Sequence, residues 1–365
     1  MIAMRITSFC CCFVVLATGL GLVAGDILSV PPGKVIKPVS VYGSLAFSPD
    51  GKWLILSGSN PVTYVGQTTL FEPGTWVEHP PVDVQKFEAS TPFDVPVAWA
   101  SDSKTALVGM YGSSSGGAFM VVAAPDWRLV NSWRSPAGTQ QFLQICTIPR
   151  GTLFIGNDRS SAQLRVQDYK TGRTVFTIPT PSRDHKSVSV SPNGRLLAIS
   201  DGRTLRIVNL GSKTQVDKAD APGPIIALTF SPDSARIAVV FRSVGIYNHR
   251  GPGSEWLQIL RTSTLSSARG PRLVFGSTAF RDLAFSSDGR RVFVLIDVAS
   301  RVGGGASPRS FSSSVLGFDS ATLESQERLG PIGAEACGLA VSPDGKYLVT
   351  SDPIELSIWS VYRNE

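Results

Sequence analysis

The chain is poor in the residues that carry most enzyme chemistry. Histidine occurs three times in 365 residues, at His79, His185 and His249, far apart and without metal-ligand spacing. Of five cysteines, Cys10, Cys11 and Cys12 crowd the amino terminus, leaving only Cys146 and Cys337 in the body of the chain. A disulfide-stapled small fold is thereby excluded, and the lack of Cys-x-x-Cys-His excludes haem attachment and with it an electron-transfer role. No Asp-x-Asp-x-Asp-Gly calcium loop and no Gly-Lys-Ser/Thr phosphate loop is present. Charged residues make up only 17%, without an acidic or basic block, so no nucleic-acid-binding arm is expected. There is no heptad pattern, and no Asn-x-Ser/Thr acceptor for glycosylation.

One uncharged apolar run exists, Ile6 to Leu22, preceded by Arg5 and followed by the small residues Val23-Ala24-Gly25. Residues 1–25 therefore read as a secretory signal, with cleavage expected after Ala24 or Gly25 and an uncleaved membrane anchor as the alternative. The remainder, 26–365, holds no second run of that length and is expected to be secreted or periplasmic, with no membrane span. The net charge of +6 falls by one when Arg5 is removed, a mild surplus.

What the sequence does hold is a repeat. Leu45-Ala46-Phe47-Ser48-Pro49-Asp50-Gly51-Lys52 is followed by the apolar run Trp53-Leu54-Ile55-Leu56. Further copies centre on Asp102, Arg150, Asn193, Asp233, Asp288 and Asp344, the one at Arg150 being degenerate. Ser-Pro-Asp-Gly is a tight-turn sequence: Pro presets φ, Asp bonds back to the backbone, and Gly accepts positive φ. The β-branched and aromatic runs on either side read as strands, so each copy is a hairpin. A third strand is expected after each, ending in pairs such as Phe71-Glu72, Val208-Asn209, Tyr247-Asn248 and Phe318-Asp319. Seven copies at this spacing predict an all-β, seven-bladed propeller of four-stranded antiparallel blades, in one domain over residues 26–365.

These turns and strand endings resemble the WD-repeat family of β-propellers and related bacterial envelope propellers. Tyr347-Leu348-Val349-Thr350-Ser351 is also similar to the Tyr-Val-Thr-Asn repeats of surface-layer propellers. The likeness spans about residues 33–362 and rests on the turns, because no Gly-His or Trp-Asp dipeptide occurs. It implies a rigid ring with loop rims that bind partners. The seventh copy has room for only three strands before Glu365, so a strand at Val35–Val39 is expected to pair beside Leu356–Val361 and close the ring.

Candidate chemistry is sparse. Gly112-Ser113-Ser114-Ser115-Gly116 matches a nucleophile elbow but lies in a Ser/Gly-rich loop, and Gly19-x-Gly21-x-x-Ala24 lies in the signal segment. Cys146 and Cys337 are expected as free, packed thiols in blades three and seven. Phe47, Trp99, Phe230 and Phe285 occupy repeat positions and read as core between blades, whereas Trp127 and Trp133 fall in the outer part of blade two, where a side chain can be exposed. Arginines are enriched in segments expected to open on one rim: Arg159, Arg203, Arg242, Arg269, Arg272, Arg301 and Arg309, the last two flanking a Gly-rich arm. Guanidinium forks there suit an anionic partner. The expectation is a monomeric, non-catalytic binding platform for a protein or anionic polymer, without cofactor or metal and without specific nucleic-acid binding. The alternative is a propeller enzyme, a lactonase, lyase or glycan-active protein, with its site at the axial mouth.

Overall fold

The computed structural model describes residues 29–361 except 39–40, 60–65, 83–95, 111–117, 135–141, 159–162, 181–186, 243–253, 268–269, 276–277, 301–309 and 334. The chain forms seven antiparallel blades arranged as a propeller, each with its first strand innermost. Blade one comprises Val41–Phe47, Leu54–Ser59, Gly66–Glu72 and Val77–Val82, and blade two Val97–Trp99, Thr105–Met110, Ala118–Ala123 and Arg128–Arg134. Blade three is Phe142–Thr147, Leu153–Asp158, Gln163–Asp168 and Thr174–Pro179, and blade four Val188–Val190, Leu196–Asp201, Thr204–Asn209 and Thr214–Asp220. Blade five is Ile225–Phe230, Arg236–Arg242, Glu255–Arg261 and Arg272–Phe275, and blade six Thr278–Phe285, Arg291–Ser300, Ser310–Asp319 and Ser325–Ile332. Gly338–Val341, Tyr347–Ser351 and Leu356–Ser360 supply three strands of blade seven. Its fourth is Lys34–Ile36, antiparallel to the last of these with Lys34 opposite Ile358 and Ile36 opposite Leu356.

The repeat turns explain the hairpins. In blade one the Ser48 hydroxyl donates to Asp50 Oδ1 at 2.7 Å and accepts from the Trp53 amide at 3.0 Å, while Gly51 sits at φ 72°. Ser191, Ser231, Ser286 and Ser342 repeat the arrangement with Asn193, Asp233, Asp288 and Asp344. At Asp233 the Ser231 hydroxyl and the Ala235 amide hold the carboxyl below its ordinary range. The second turn of a blade is capped by the residue that ends the third strand. Asn209 accepts from the Gly211 and Ser212 amides, and Asp319 from those of Ala321 and Thr322. Two of the expected third-strand endings therefore act as turn caps. Tyr247-Asn248 does not belong with them: it lies outside the described residues, and the third strand of blade five begins later, at Glu255.

Packing closes the ring. Among the described residues seven apolar clusters are found, one at each boundary between neighbouring blades. The cluster of Leu54, Leu56, Phe71, Trp76, Val349, Leu356 and Ile358 joins blade one to blade seven. Both faces of each blade are thus covered, which is why the second strands read as continuous apolar runs. Trp127, a turn residue at φ 51°, is buried. Its Nε1 donates to the Thr68 carbonyl of blade one at 3.2 Å, and Trp99 Nε1 donates to the Ala46 carbonyl at 3.0 Å. Trp133 is half-buried and stacks on Phe119 with centroids 5.1 Å apart.

The amino-terminal closure is shorter than expected and does more. Besides Lys34–Ile36 in blade seven, Ser29–Val30 runs parallel to the outer strand of blade six, opposite Arg328 and Leu329. One segment therefore clasps two successive blades.

Candidate interaction rims

Alternating strand direction gives the ring two unlike faces. The turns between first and second strands, and between third and fourth, share one face, here the turn rim. The loops between second and third strands, and the links to the next blade, share the other, the connection rim.

The arginines expected on the connection rim are placed as follows. Arg203 lies in the tight loop of blade four, exposed, with Nε donating to the Ala221 carbonyl at 3.2 Å. Arg242 ends the second strand of blade five and pairs with Glu255 Oε1 at 2.9 Å. Arg272 starts the outermost strand of blade five, opposite Leu257, so its backbone lies on the outer edge of the blade and not in a rim loop. Arg159, Arg269, Arg301 and Arg309 lie outside the described residues, as do His185, His249 and the Gly112–Gly116 loop.

A set of carboxylates on the connection side of blades five to seven was not legible in the sequence. Glu255 is 1% exposed, and burial pushes its carboxyl up against the opposing pull of the Arg242 guanidinium. In blade six, Arg281 occupies a bulge in the innermost strand and Nε reaches Asp297 Oδ2 at 2.6 Å. Asp297 is 3% exposed and accepts from the Ser313 hydroxyl at 2.5 Å, which in turn accepts from the Ala336 amide at 3.0 Å. Asp282, beside Arg281, accepts from its neighbour Leu283 and from the Leu339 amide of blade seven at 2.9 Å. Burial pushes its carboxyl up to about 6. Asp352 in blade seven accepts from the Ile354 and Glu355 amides, and the Ser351 hydroxyl donates to the Gly43 carbonyl of blade one at 3.0 Å. Of these acids Asp282 bonds directly across a blade boundary, Asp297 holds the Ser313 hydroxyl that receives the Ala336 amide, Glu255 pairs within blade five, and Asp352 caps its own loop. The only sequence signal for them was strand length: the inner three strands of blade six are eight to ten residues long and carry Arg281, Asp282 and Asp297 within them.

Both body cysteines are free. Burial pushes the Cys146 thiol up to about 11, which suits a packing role, and Cys337 donates to the Glu335 carbonyl at 3.1 Å. His79 pairs with Glu72 at 2.9 Å and meets the Trp53 ring edge-on. Among the described residues no group of three His, Cys, Asp or Glu is placed to hold a metal ion.

Comparison with known proteins agrees with the fold. The family model for the WD domain, G-beta repeat, matches residues 38–61, which contain the first hairpin of blade one. No curated protein matches the chain.

Proposed function

We propose that the protein is a secreted or periplasmic binding platform, with residues 1–25 as a cleaved export signal and 26–365 as one propeller domain. The chain is similar to WD-type propellers, which commonly bind proteins on their loop rims. The observation that carries the reading is the use made of the connection-side carboxylates. Glu255, Asp282, Asp297 and Asp352 each bond an arginine, a hydroxyl or a backbone amide that holds blades or loops together. Acids so engaged favour a stiff scaffold over proton transfer. The partner meets the connection rim, where the arm between Arg301 and Arg309 supplies two adaptable cations for an acidic protein or polymer.

The test is a pull-down from envelope extracts with protein 26–365, beside Arg301→Ser/Arg309→Ser. A saturable partner that binds the parent and is weakened by the double change supports the reading. Recovery of no partner, or a partner held equally by both, refutes the platform or the arm respectively. Amino-terminal sequencing of exported protein reads the cleavage position, and an intact Met1 in the membrane fraction would refute cleavage.

A further inference from the structure

The turn rim carries an uneven charge distribution that the repeat itself reveals. The third position of the first turn is acidic in five blades: Asp50, Asp102, Asp233, Asp288 and Asp344. Blade three has Arg150 there, held at φ 65°, and blade four has the neutral Asn193 followed by Arg195. The two blades that lack the acid are neighbours. Their second turns add Lys170 and Arg173 in blade three and Lys213 in blade four.

The four turns 148–152, 169–173, 191–195 and 210–213 thus hold five cations and no acid. All five side chains are exposed, and among the described residues none forms an ion pair. Asp168, at the end of the adjoining strand, is half-buried and engaged in capping the turn: it accepts from the Thr152 and Thr171 hydroxyls and from the Lys170 and Thr171 amides. Asp217 lies further along the outer strand of blade four and accepts the Lys218 amide. Acids return on either side, with Asp102 and Asp126 in blade two and Asp233 in blade five, so the patch has edges.

The patch is also built on a firm base. A Cβ on Gly194 would come within 3.2 Å of the Pro149 carbonyl oxygen, so the first turns of the two blades abut. Lys213 crosses to blade three and sits 4.7 Å from the Phe176 ring centroid. Trp133 of blade two packs under Gly172, and Asn131 donates to the Lys170 carbonyl at 3.3 Å.

We infer that the turn rim of blades three and four, through Arg150, Lys170, Arg173, Arg195 and Lys213, binds an acidic polysaccharide bearing carboxylate or sulfate groups. The surface is opposite the rim assigned above, and the inference rests on the platform reading only in that the protein meets polymers outside the cell. The choice of ligand follows from what separates the cations. Tyr169 and Leu210, the bulky apolar residues of the second turns, are buried, and the exposed residues between the charges are Gly, Ser, Thr, Pro and Asn. Within these turns no exposed ring is offered for base stacking; the exposed apolar side chains nearest them, Val175 and Val216, are single aliphatics on the adjoining outer strands and not an aromatic anchor, whereas the small polar groups and spaced cations of the turns suit a hydroxylated, charged chain.

The test uses protein 26–365 on heparin, as a sulfated polysaccharide, with affinity measured against salt. Arg150→Ser/Arg195→Ser/Lys213→Ser is compared with Lys52→Ser/Lys104→Ser/Lys346→Ser, which removes equal charge from the same rim in blades one, two and seven, where each lysine follows an acid. The first triple change should elute at lower salt, with the slope of log affinity against log salt reduced by about one per contacting cation. The second should elute near the parent. Equal shifts for both, no shift for the first, or no parent binding at physiological salt would overturn the site. Tighter binding of single-stranded DNA or of an acidic protein than of heparin would overturn the ligand. Arg195→Glu alone, with an unchanged thermal midpoint, separates lost binding from lost folding. The outcome is independent of the pull-down on Arg301 and Arg309, so the site and the platform reading fail separately.

Discussion

Replacing Asp282 by Asn should remove a pH dependence built into the contact between blades six and seven. The Asp282 carboxylate accepts from Leu283 at 2.7 Å and from Leu339 of the next blade at 2.9 Å, and burial raises it from the ordinary 3.8 to about 6. A carboxyl raised in the folded state stabilises the fold most when protonated in both states, below 3.8, and loses that contribution as pH rises through about 6. At about 1.4 kcal/mol per pH unit the whole window amounts to at most roughly 3 kcal/mol. Between pH 7.5 and pH 5 the same linkage gives about 1.4 kcal/mol. Asn retains one acceptor oxygen for the Leu339 amide and does not titrate, so its stability relative to wild type should fall by about that amount when pH drops from 7.5 to 5. Urea unfolding of both proteins at four pH values measures the difference, and exchange protection of the Leu339 amide reports the inter-blade bond itself. Curves that run parallel across this range would refute the reasoning, and so would a variant that gains stability toward pH 5.

Three further outcomes are expected. Deleting residues 26–36 should lower the thermal midpoint and promote aggregation, because it bares the Leu356–Ser360 edge and uncaps blade six; an unchanged, monomeric truncation by scattering would refute closure. Trp127→Ala should cost about 3–5 kcal/mol in chemical denaturation, and Trp127→Phe much less, since it keeps most of the ring and loses the bond to Thr68; equal costs would refute the packing account. In the native protein Cys337 should react with a thiol reagent well before Cys146, whose thiol is pushed up to about 11, and simultaneous modification would refute the buried placement of Cys146.

The propeller was legible because its signal is local and repeated. Ser48-Pro49-Asp50-Gly51 needs no distant partner to turn: the hydroxyl, the carboxylate and the left-handed glycine meet within four residues. Seven such turns at blade-sized intervals, with apolar strands around them, leave few architectures that cover every sheet. The missing strand of blade seven was legible for the same reason, as a deficit in a count. Its register was not: Lys34–Ile36 pairs, shorter than Val35–Val39, and the extra parallel strand Ser29–Val30 depends on an open edge that only the assembled blade six presents.

The site was less legible because charge in a propeller acquires meaning from position. Arg203, Arg242 and Arg272 looked alike in the sequence, yet the first meets a carbonyl, the second a buried glutamate, and the third starts an outer strand. Asp282 and Leu339 are 57 residues apart and become partners only across a blade boundary. The sequence leaves Trp127 open to burial or exposure, and the Thr68 carbonyl of blade one that meets its Nε1 is 59 residues away in the chain. The sequence by itself determined the repeat, the turn chemistry and the number of blades, all set by interactions among near neighbours. Tertiary structure decided which acids bond across a blade boundary, as Asp282 does to Leu339, and which serve their own blade. Such bonds depend on segments far apart in the chain, 57 residues for Asp282 and Leu339, that meet only when one blade packs on the next.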